Sequence, residues 1–200
     1  MAISDERREA RRRHLVEAAA SLIREKGGDG FSMLQLAERA GVSPATPYNL
    51  LGSKSEVLRL IVAGEFASFV ERLATLPAQS PLQRLLAAAQ TVVHHYTADP
   101  AFYRGLYHAA GGTEGGELRT LMQREGQQLW SQMVKAAFHS GELRPEVEPE
   151  ALTDILLRSI GANTEAWLAE QWSAETFGQE MALNCRLLLA GLAAEPLALR

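Results

Sequence analysis

The chain has 200 residues, of which 46% are apolar and 22% charged, and its formal net charge is −4. This balance is typical of a globular protein and excludes a collagen-like or extensively disordered chain. Cys185 is the sole cysteine, which excludes an intrachain disulfide and a cysteine-based zinc site. The first fourteen residues are too charged for a secretory signal and the longest apolar run is too short to span a bilayer, so we expect a cytoplasmic protein without a membrane partner.

Charge is distributed unevenly along the chain. Residues 1–60 carry ten Lys or Arg against eight Asp or Glu, whereas residues 61–200 carry ten against sixteen. Five of the positive residues fall within seven positions, namely Arg7, Arg8, Arg11, Arg12 and Arg13. A basic cluster on an acidic body can bind phosphates. It is equally typical of a solvated helix face, because acidic residues are interleaved with it.

Apolar residues recur at the 3.6-residue period of α-helices, and no segment alternates like a β-strand. Helix-starting Ser and Pro residues and helix-ending Gly residues divide this pattern into about nine helices. The predicted helices cover about residues 5–26, 32–40, 44–51, 54–76, 81–96, 100–108, 117–139, 149–171 and 173–194. The glycine-rich residues 111–116 are predicted to form a loop. The fold class is therefore predicted to be all-α.

Two short helices meet at a tight turn, Ala40-Gly41-Val42-Ser43. Gly41 can adopt the positive φ that such a turn requires, and the small Ala37 lets the helices approach closely. With the preceding helix, they give the pattern of a helix-turn-helix, whose second helix fits the major groove of B-DNA. The pattern alone is a weak signal, because many all-α proteins contain it.

Two prolines lie near the start of the second short helix. We expect Ser43 to cap this helix by accepting a hydrogen bond from the Thr46 N–H, with Pro44 at the first helical position, where a missing donor costs nothing. Pro47 would lose only the bond to the Ser43 carbonyl. The helix should therefore form, with Pro47 filling a small core space.

These features are similar to a known family. LVEAAASLIREKGGDGFSMLQLAERAGVSPATPYNLLGSKSEVLRLIV, residues 15–62, resembles the N-terminal domain of the tetracycline-repressor (TetR) family of bacterial transcriptional regulators. The resemblance is carried by Ser32 before the first short helix, the glycine turn, Thr46, Tyr48 and Ser53-Lys54. Residues 65–200 resemble the family only in their helical layout and length.

The resemblance implies DNA-contacting roles for individual residues. The recognition helix would direct six residues at DNA: Pro44, Ala45, Thr46, Tyr48, Asn49 and Leu50. Phosphate contacts would come from Ser32, Tyr48 and Lys54, the last acting as a clamp at the start of the fourth helix. Asn49 can pair with adenine, whereas this helix contains no arginine to read guanine.

The chain is predicted to divide into a helix-turn-helix DNA-binding domain, residues 1–60, and a helical effector-binding and dimerisation domain, residues 61–200. One helix-turn-helix contacts few bases, so we expect a homodimer whose seam lies on the last two helices. The proposed interface residues are Leu152, Leu156, Ile160, Met181, Leu188 and Leu192. The same residues would equally suit the core of a single chain.

Aromatic and polar residues cluster in the middle of the sequence. In the family this region encloses a ligand pocket, and apolar walls with a few polar groups suit a drug-sized effector that is apolar or aromatic. The proposed effector-binding residues are Phe66, His95, Tyr103, Tyr107, Trp130, Met133, Asn163 and Trp167. Taken singly, each is as typical of an ordinary core.

The sequence contains no nucleophile elbow, phosphate loop or paired carboxylates, and we expect no enzymatic activity and no cofactor. His94 and His95 diverge by about 100° on a helix, which argues against a metal site. We therefore expect a repressor that leaves its double-stranded operator when it binds a small molecule. The alternative is a helical small-molecule-binding protein or enzyme in which the helix-turn-helix is only structural.

Overall fold

A computed structural model describes residues 2–27, 31–77, 80–110 and 115–195. Within these residues the chain forms nine α-helices, which confirms the all-α prediction. They are α1 (Ala2–Lys26), α2 (Met33–Arg39), α3 (Ala45–Leu51), α4 (Lys54–Ala74), α5 (Pro81–Thr97), α6 (Pro100–Ala110), α7 (Gly115–His139), α8 (Pro149–Leu168) and α9 (Ala174–Leu192).

Most helix ends follow the expected local chemistry. The hydroxyls of Ser32, Ser80 and Ser173 each accept a backbone N–H bond at the start of α2, α5 and α9. Pro149 begins α8, where its missing donor costs nothing. Of the predicted loop over residues 111–116, positions 111–114 lie outside the described residues, and α7 already begins at Gly115.

The first compact unit contains α1, α2, α3, α4 as far as Ala67, and α6. Helix α1 packs against α2, α3 and α6 through an apolar stripe that includes Leu15, Ala19 and Ile23. At the crossing of α1 and α6, a Cβ atom on Gly105 would lie 2.6 Å from the Ile23 carbonyl oxygen. The close packing of these two helices therefore depends on a residue without a side chain.

The second compact unit contains the end of α4 from Ser68, α5, α7 from Met122, α8 and α9. Helix α9 packs against both α5 and α8. The core of this unit includes Trp167 and Phe177, whose rings stack with centroids 5.4 Å apart. An isolated antiparallel bridge joins Leu143 to Ala193 after the last helix.

The sequence-based boundary near residue 60 did not anticipate the position of α6. This helix follows α5 in sequence but belongs to the same compact unit as α1. The contact between α1 and α6 joins residues far apart in the sequence. Its one local sign is Gly105, which has no side chain where the two helices approach closely.

A membrane span would need about 20 consecutive, nearly uncharged apolar residues in one helix. None of the helices built from the described residues contains such a stretch.

Candidate nucleic-acid interface

The turn between α2 and α3 is fixed by two backbone hydrogen bonds. Gly41 N–H donates to the Glu38 carbonyl at 3.1 Å, and Val42 N–H donates to the Ala37 carbonyl at 3.0 Å. This pair is the Schellman pattern of a helix C-terminus, and it requires a left-handed residue at Gly41, whose φ is +65°. The angle between α2 and α3 is thus set by local backbone chemistry, as the sequence predicted.

The start of α3 corrects one detail of the prediction. The Thr46 N–H donates to the Ser43 carbonyl at 2.9 Å, while the Ser43 hydroxyl lies 2.8 Å from the Thr46 hydroxyl. Pro44 is the N-cap residue and the helix begins at Ala45. Pro47 has no N–H to donate to the Ser43 carbonyl, and the Thr46 N–H donates to that carbonyl instead. Pro47 itself is buried, as expected.

Helix α3 has a buried side and an open side. Pro47 and Leu51 face the core. Six residues from Pro44 to Leu50 are predicted to contact DNA. Four of them are exposed, namely Pro44, Ala45, Tyr48 and Asn49, and two are half-buried, namely Thr46 and Leu50. Tyr48 exposes 57% of its surface to solvent. The open side of α3 is neutral, with hydroxyl, amide and apolar groups available to a partner.

Ser32 and Lys54 are held at the starts of α2 and α4. Ser32 forms a complete capping box with Gln35, in which its hydroxyl accepts from the Gln35 N–H at 3.2 Å and the Gln35 side chain accepts from the Ser32 N–H at 3.0 Å. The Lys54 ammonium lies 5.5 Å from the centre of the Phe31 ring, a cation–π contact. Because Phe31 directly precedes Ser32, this contact links the first residue of α4 to the segment that leads into α2.

Sequence reasoning did not foresee the polar contacts that attach α1 to the helix-turn-helix. Arg39 of α2 donates two hydrogen bonds to the Glu25 carboxylate, at 2.8 and 2.5 Å, and a third to the Ser21 hydroxyl. The hydrogen bond from Arg39 lowers the pKa of Glu25. Arg12 donates to the carbonyl of Leu50, at the end of α3, at 2.5 Å. These residues are far apart in sequence, so no local pattern reveals the pairs.

Helix α6 is joined to α1 and α4 by polar contacts. The Arg24 Nε donates to the Asp99 carboxylate at 2.7 Å, and Asp99 also accepts the Phe102 N–H at the start of α6. Burial opposes ionisation of Asp99, but these hydrogen bonds outweigh it and lower the pKa of the carboxyl. The Tyr103 hydroxyl donates to the Glu65 carboxylate on α4.

The proposed effector-binding residues divide between the two units. Tyr103 is buried in the first unit, and Phe66 and Tyr107 are half-buried there. The second unit contains the other five, of which Met133 is half-buried and the rest are buried: His95, Trp130, Met133, Asn163 and Trp167.

Two of these five belong to a row of aromatic rings in the second unit, which we call the aromatic row: Phe69, His95, Tyr96, Trp167 and Phe177. Neighbouring ring centroids are 5.4 to 6.3 Å apart. Burial, with a smaller effect of the positive charge of Arg72, lowers the pKa of His95 to about 4. The imidazole is therefore neutral at physiological pH, and the row carries no charge.

Asn163 has partners within its own unit. Its carbonyl oxygen accepts a hydrogen bond from the Asn184 amide at 3.2 Å, and its amide nitrogen lies 4.0 Å from the Met181 sulfur. These contacts join α8 to α9 and give partners to a buried amide, which would be costly to leave unpaired.

The proposed interface residues of α8 and α9 lie mainly inside the single chain. Four are buried in the second unit, namely Leu152, Leu156, Ile160 and Met181, and Leu188 and Leu192 are half-buried. The exposed large apolar residues of these helices are others: Ile155 at 42%, Leu183 at 46% and Leu187 at 65%. The helical pattern did not distinguish the two sets, because α8 and α9 have apolar residues on more than one side.

Among the described side chains, no group of three or more His, Cys, Asp or Glu residues is arranged to hold a metal ion.

Residues 15–61, which include α2, α3 and their turn, match the family model "Bacterial regulatory proteins, tetR family". The chain is 23% identical over 193 residues to the HTH-type transcriptional repressor KstR of Rhodococcus jostii, an alignment that covers 94% of this chain and 86% of that protein.

Solved structures share the fold. The structure of SmeT, the repressor of the Stenotrophomonas maltophilia multidrug efflux pump SmeDEF, matches with a TM-score of 0.73 and 20% identity, over 93% of this chain and 96% of that one. The ketosteroid transcriptional regulator KstR2 of Mycobacterium tuberculosis matches with a TM-score of 0.58 and 18% identity, over 92% of this chain and 96% of that one. The likeness thus extends over nearly the whole chain.

Proposed function

Because this chain is a DNA-binding transcriptional repressor of the TetR family, we propose that it binds a pseudo-palindromic operator as a homodimer and leaves it when a small apolar molecule binds the second unit. The observation that carries the proposal is the open side of α3. This short helix is locked by the Gly41 turn, buries Pro47 and Leu51, and exposes Tyr48 and Asn49.

In the proposed complex, α3 enters the major groove. Asn49 pairs with adenine, and Thr46 and Leu50 contact thymine methyl groups. Ser32, Tyr48 and Lys54 bind backbone phosphates, which fixes the register of α3 without reading sequence. The cation–π contact between Lys54 and Phe31 supports this role, because it holds the ammonium against the residue next to Ser32, the N-cap of α2.

Titration of DNA binding at several salt concentrations tests these roles. Lys54→Ala should weaken binding to all duplexes and make the slope of log K against log salt less negative by about 1 per protomer. Asn49→Ala should instead lose about 1–3 kcal/mol of discrimination at one base pair. Lys26→Ala, which removes an exposed lysine at the end of α1, is the matched control. A wild-type chain that binds no genomic fragment would contradict the proposal and favour the structural helix-turn-helix alternative.

Dimerisation is proposed through α8 and α9. Ile155, Leu183 and Leu187 expose apolar surface on these helices, and a second copy would remove it from water. The two recognition helices of the dimer would then contact half-sites about one helical turn of DNA apart. Binding two half-sites gives a small DNA-binding domain a higher affinity than one half-site can.

The effector is proposed to be neutral and largely apolar. The aromatic row has no charged member at physiological pH, because the pKa of His95 is lowered to about 4. The names of two structural relatives, a ketosteroid regulator and a multidrug efflux repressor, are consistent with ligands of this kind. Helix α4 offers a route for the response, since it begins with Lys54 and later carries Phe69, which contacts His95.

A panel of steroid ketones, with charged sugar phosphates as the comparison, tests this part of the proposal. A matching ketone should change the intrinsic fluorescence of Trp167 and release the protein from DNA at the same concentration. To separate Trp167 from Trp130 and Trp172, the measurement would use Trp130→Phe and Trp172→Phe together. Because Trp130 is itself a proposed effector-binding residue, release from DNA by the same ketone would first be compared between this variant and the wild type. Release by a sugar phosphate without a response to any ketone would contradict the apolar assignment.

A further inference from the structure

The first turns of α1 form a basic face that the proposed function does not use. Helix α1 is continuous from Ala2 to Lys26, so the arginine cluster is helical and not an extended arm. Four of its five arginines are exposed, namely Arg7, Arg8, Arg11 and Arg13, and Arg12 is half-buried.

The positions of these arginines follow the core stripe of α1. Arg8, Arg11, Arg12 and Leu15 are spaced i, i+3, i+4 and i+7, which places them on one side of the helix. The same stripe continues through Ala18, Ala19 and Leu22, all of which are buried. One side of α1 is therefore apolar where it packs in the first unit and cationic where it extends beyond the core.

Arg12 connects this basic face to the recognition helix. Its guanidinium donates to the carbonyl of Leu50 at 2.5 Å, in the last turn of α3, and also lies 3.7 Å from Glu9. Leu50 directly follows the exposed Asn49. The basic face thus starts beside the end of α3 that is proposed to contact bases.

We propose that Arg8 and Arg11 form a second DNA-contact surface that binds backbone phosphates bordering the groove occupied by α3, with Arg12 as the positioning residue. This inference rests on the proposed function. Arg8 lies one helical turn, about 6 Å, along α1 from Arg12. The major groove is about 12 Å wide, so an arginine one turn from the end of α3 can reach the bordering strand.

Charge complementarity favours the DNA backbone as the partner of this face. The open side of α3 carries no charged residue. A recognition helix without charged residues depends for its affinity on phosphate contacts made by other parts of the protein. Between Asp5 and Arg13 the five arginines outnumber three acidic residues, so the segment keeps a net positive charge.

The test compares two double variants of the full chain that lose the same charge. Arg8→Gln with Arg11→Gln removes the proposed contacts. Arg72→Gln with Arg124→Gln removes two exposed arginines of the second unit. Fluorescence anisotropy at several salt concentrations would measure binding to a selected genomic fragment and to an unrelated duplex of equal length. The first double variant should make the slope of log K against log salt less negative by about 2 per protomer on both duplexes.

The role of Arg12 has its own readout. Arg12→Met removes the hydrogen bond to Leu50 and should reduce the salt slope although Arg8 and Arg11 remain, whereas Arg12→Lys should largely restore it. In the Arg8→Gln, Arg11→Gln background, Arg12→Met should cause little further loss. Additive losses with unchanged helix content by circular dichroism would show that Arg12 contacts DNA independently and would overturn its positioning role.

The outcomes separate this inference from the proposed function. If the wild type binds DNA and Lys54→Ala weakens it, but both double variants keep the wild-type slope, the second surface is refuted and the proposed function stands. The same holds if the two double variants lose equal slope, because the effect would then be one of net charge. If the wild type binds neither duplex, the proposed function itself fails.

Discussion

Gly41 shows how one residue controls the geometry of the helix-turn-helix. Its Cβ would meet nothing within 4 Å, so space does not explain the glycine, but its φ of +65° does. A side chain in the left-handed region costs about 1–2 kcal/mol in a non-glycine residue. The helix-turn-helix angle therefore depends on backbone conformation at a single position.

Gly41→Ala is expected to lower the free energy of unfolding by about 1–2 kcal/mol and to weaken DNA binding by altering the angle between α2 and α3. Gly41→Asn should cost less, because asparagine tolerates this conformation better. Urea unfolding followed by circular dichroism measures the difference. Equal stability of the alanine variant and the wild type would show that the turn relaxes without strain.

His95 gives a second prediction at this scale. Its pKa is about 4 in the folded chain and about 6.5 when unfolded. The unfolded chain therefore binds a proton first as pH falls, and stability decreases between about pH 6.5 and 4, whereas above 6.5 both states are neutral. Between pH 7 and pH 5 the wild type should lose about 2 kcal/mol more than His95→Phe. Identical losses in urea titrations at the two pH values would contradict the buried, neutral state.

At the scale of elements, the crossing of α1 and α6 depends on close backbone approach. A Cβ atom on Gly105 would lie 2.6 Å from the Ile23 carbonyl oxygen and 2.9 Å from its side chain. Backbone cannot yield like the end of a flexible side chain, so a methyl group there must move α6. The contacts Arg24 to Asp99 and Tyr103 to Glu65 belong to the same arrangement.

Gly105→Ala should therefore destabilise the protein by about 1–3 kcal/mol through overpacking. Gly64→Ala is the control, because Gly64 lies within α4 and its Cβ would meet nothing within 4 Å. Higher helix propensity should make that variant about 0.5–1 kcal/mol more stable. The two substitutions add the same methyl group, so a shared sign in thermal or urea unfolding would contradict the packing argument.

At the scale of the whole molecule, assembly is expected to depend on the exposed apolar residues of α8 and α9. Leu187→Glu, alone or with Leu183→Glu, should shift the protein to monomers, because a carboxylate buried in an apolar interface is costly. Sedimentation velocity and operator binding measure the two consequences together. Val70→Glu changes an exposed apolar residue of α4 and should leave the dimer intact. A dimer that survives Leu187→Glu and Leu183→Glu would place the seam elsewhere.

Much of the fold followed from the sequence because its determinants are local. Helix periodicity, the serine caps and the glycine and proline punctuation predicted nine helices, and Gly41 and Pro47 have the conformation and burial expected of them. A hydrogen bond within one turn, or a φ that only glycine adopts readily, involves residues that are neighbours in the chain. Such chemistry can be inferred without knowing the rest of the structure.

Tertiary structure alone decided which residues from distant positions meet. It joined Arg12 to Leu50, Arg39 to Glu25 and Tyr103 to Glu65, and it placed α6 in the same unit as α1. It also distinguished buried from exposed apolar residues on α8 and α9, which look alike in a helical pattern. The physical reason is that burial and long-range pairing depend on how helix faces pack in three dimensions, and the period of one helix does not identify the partner of each face.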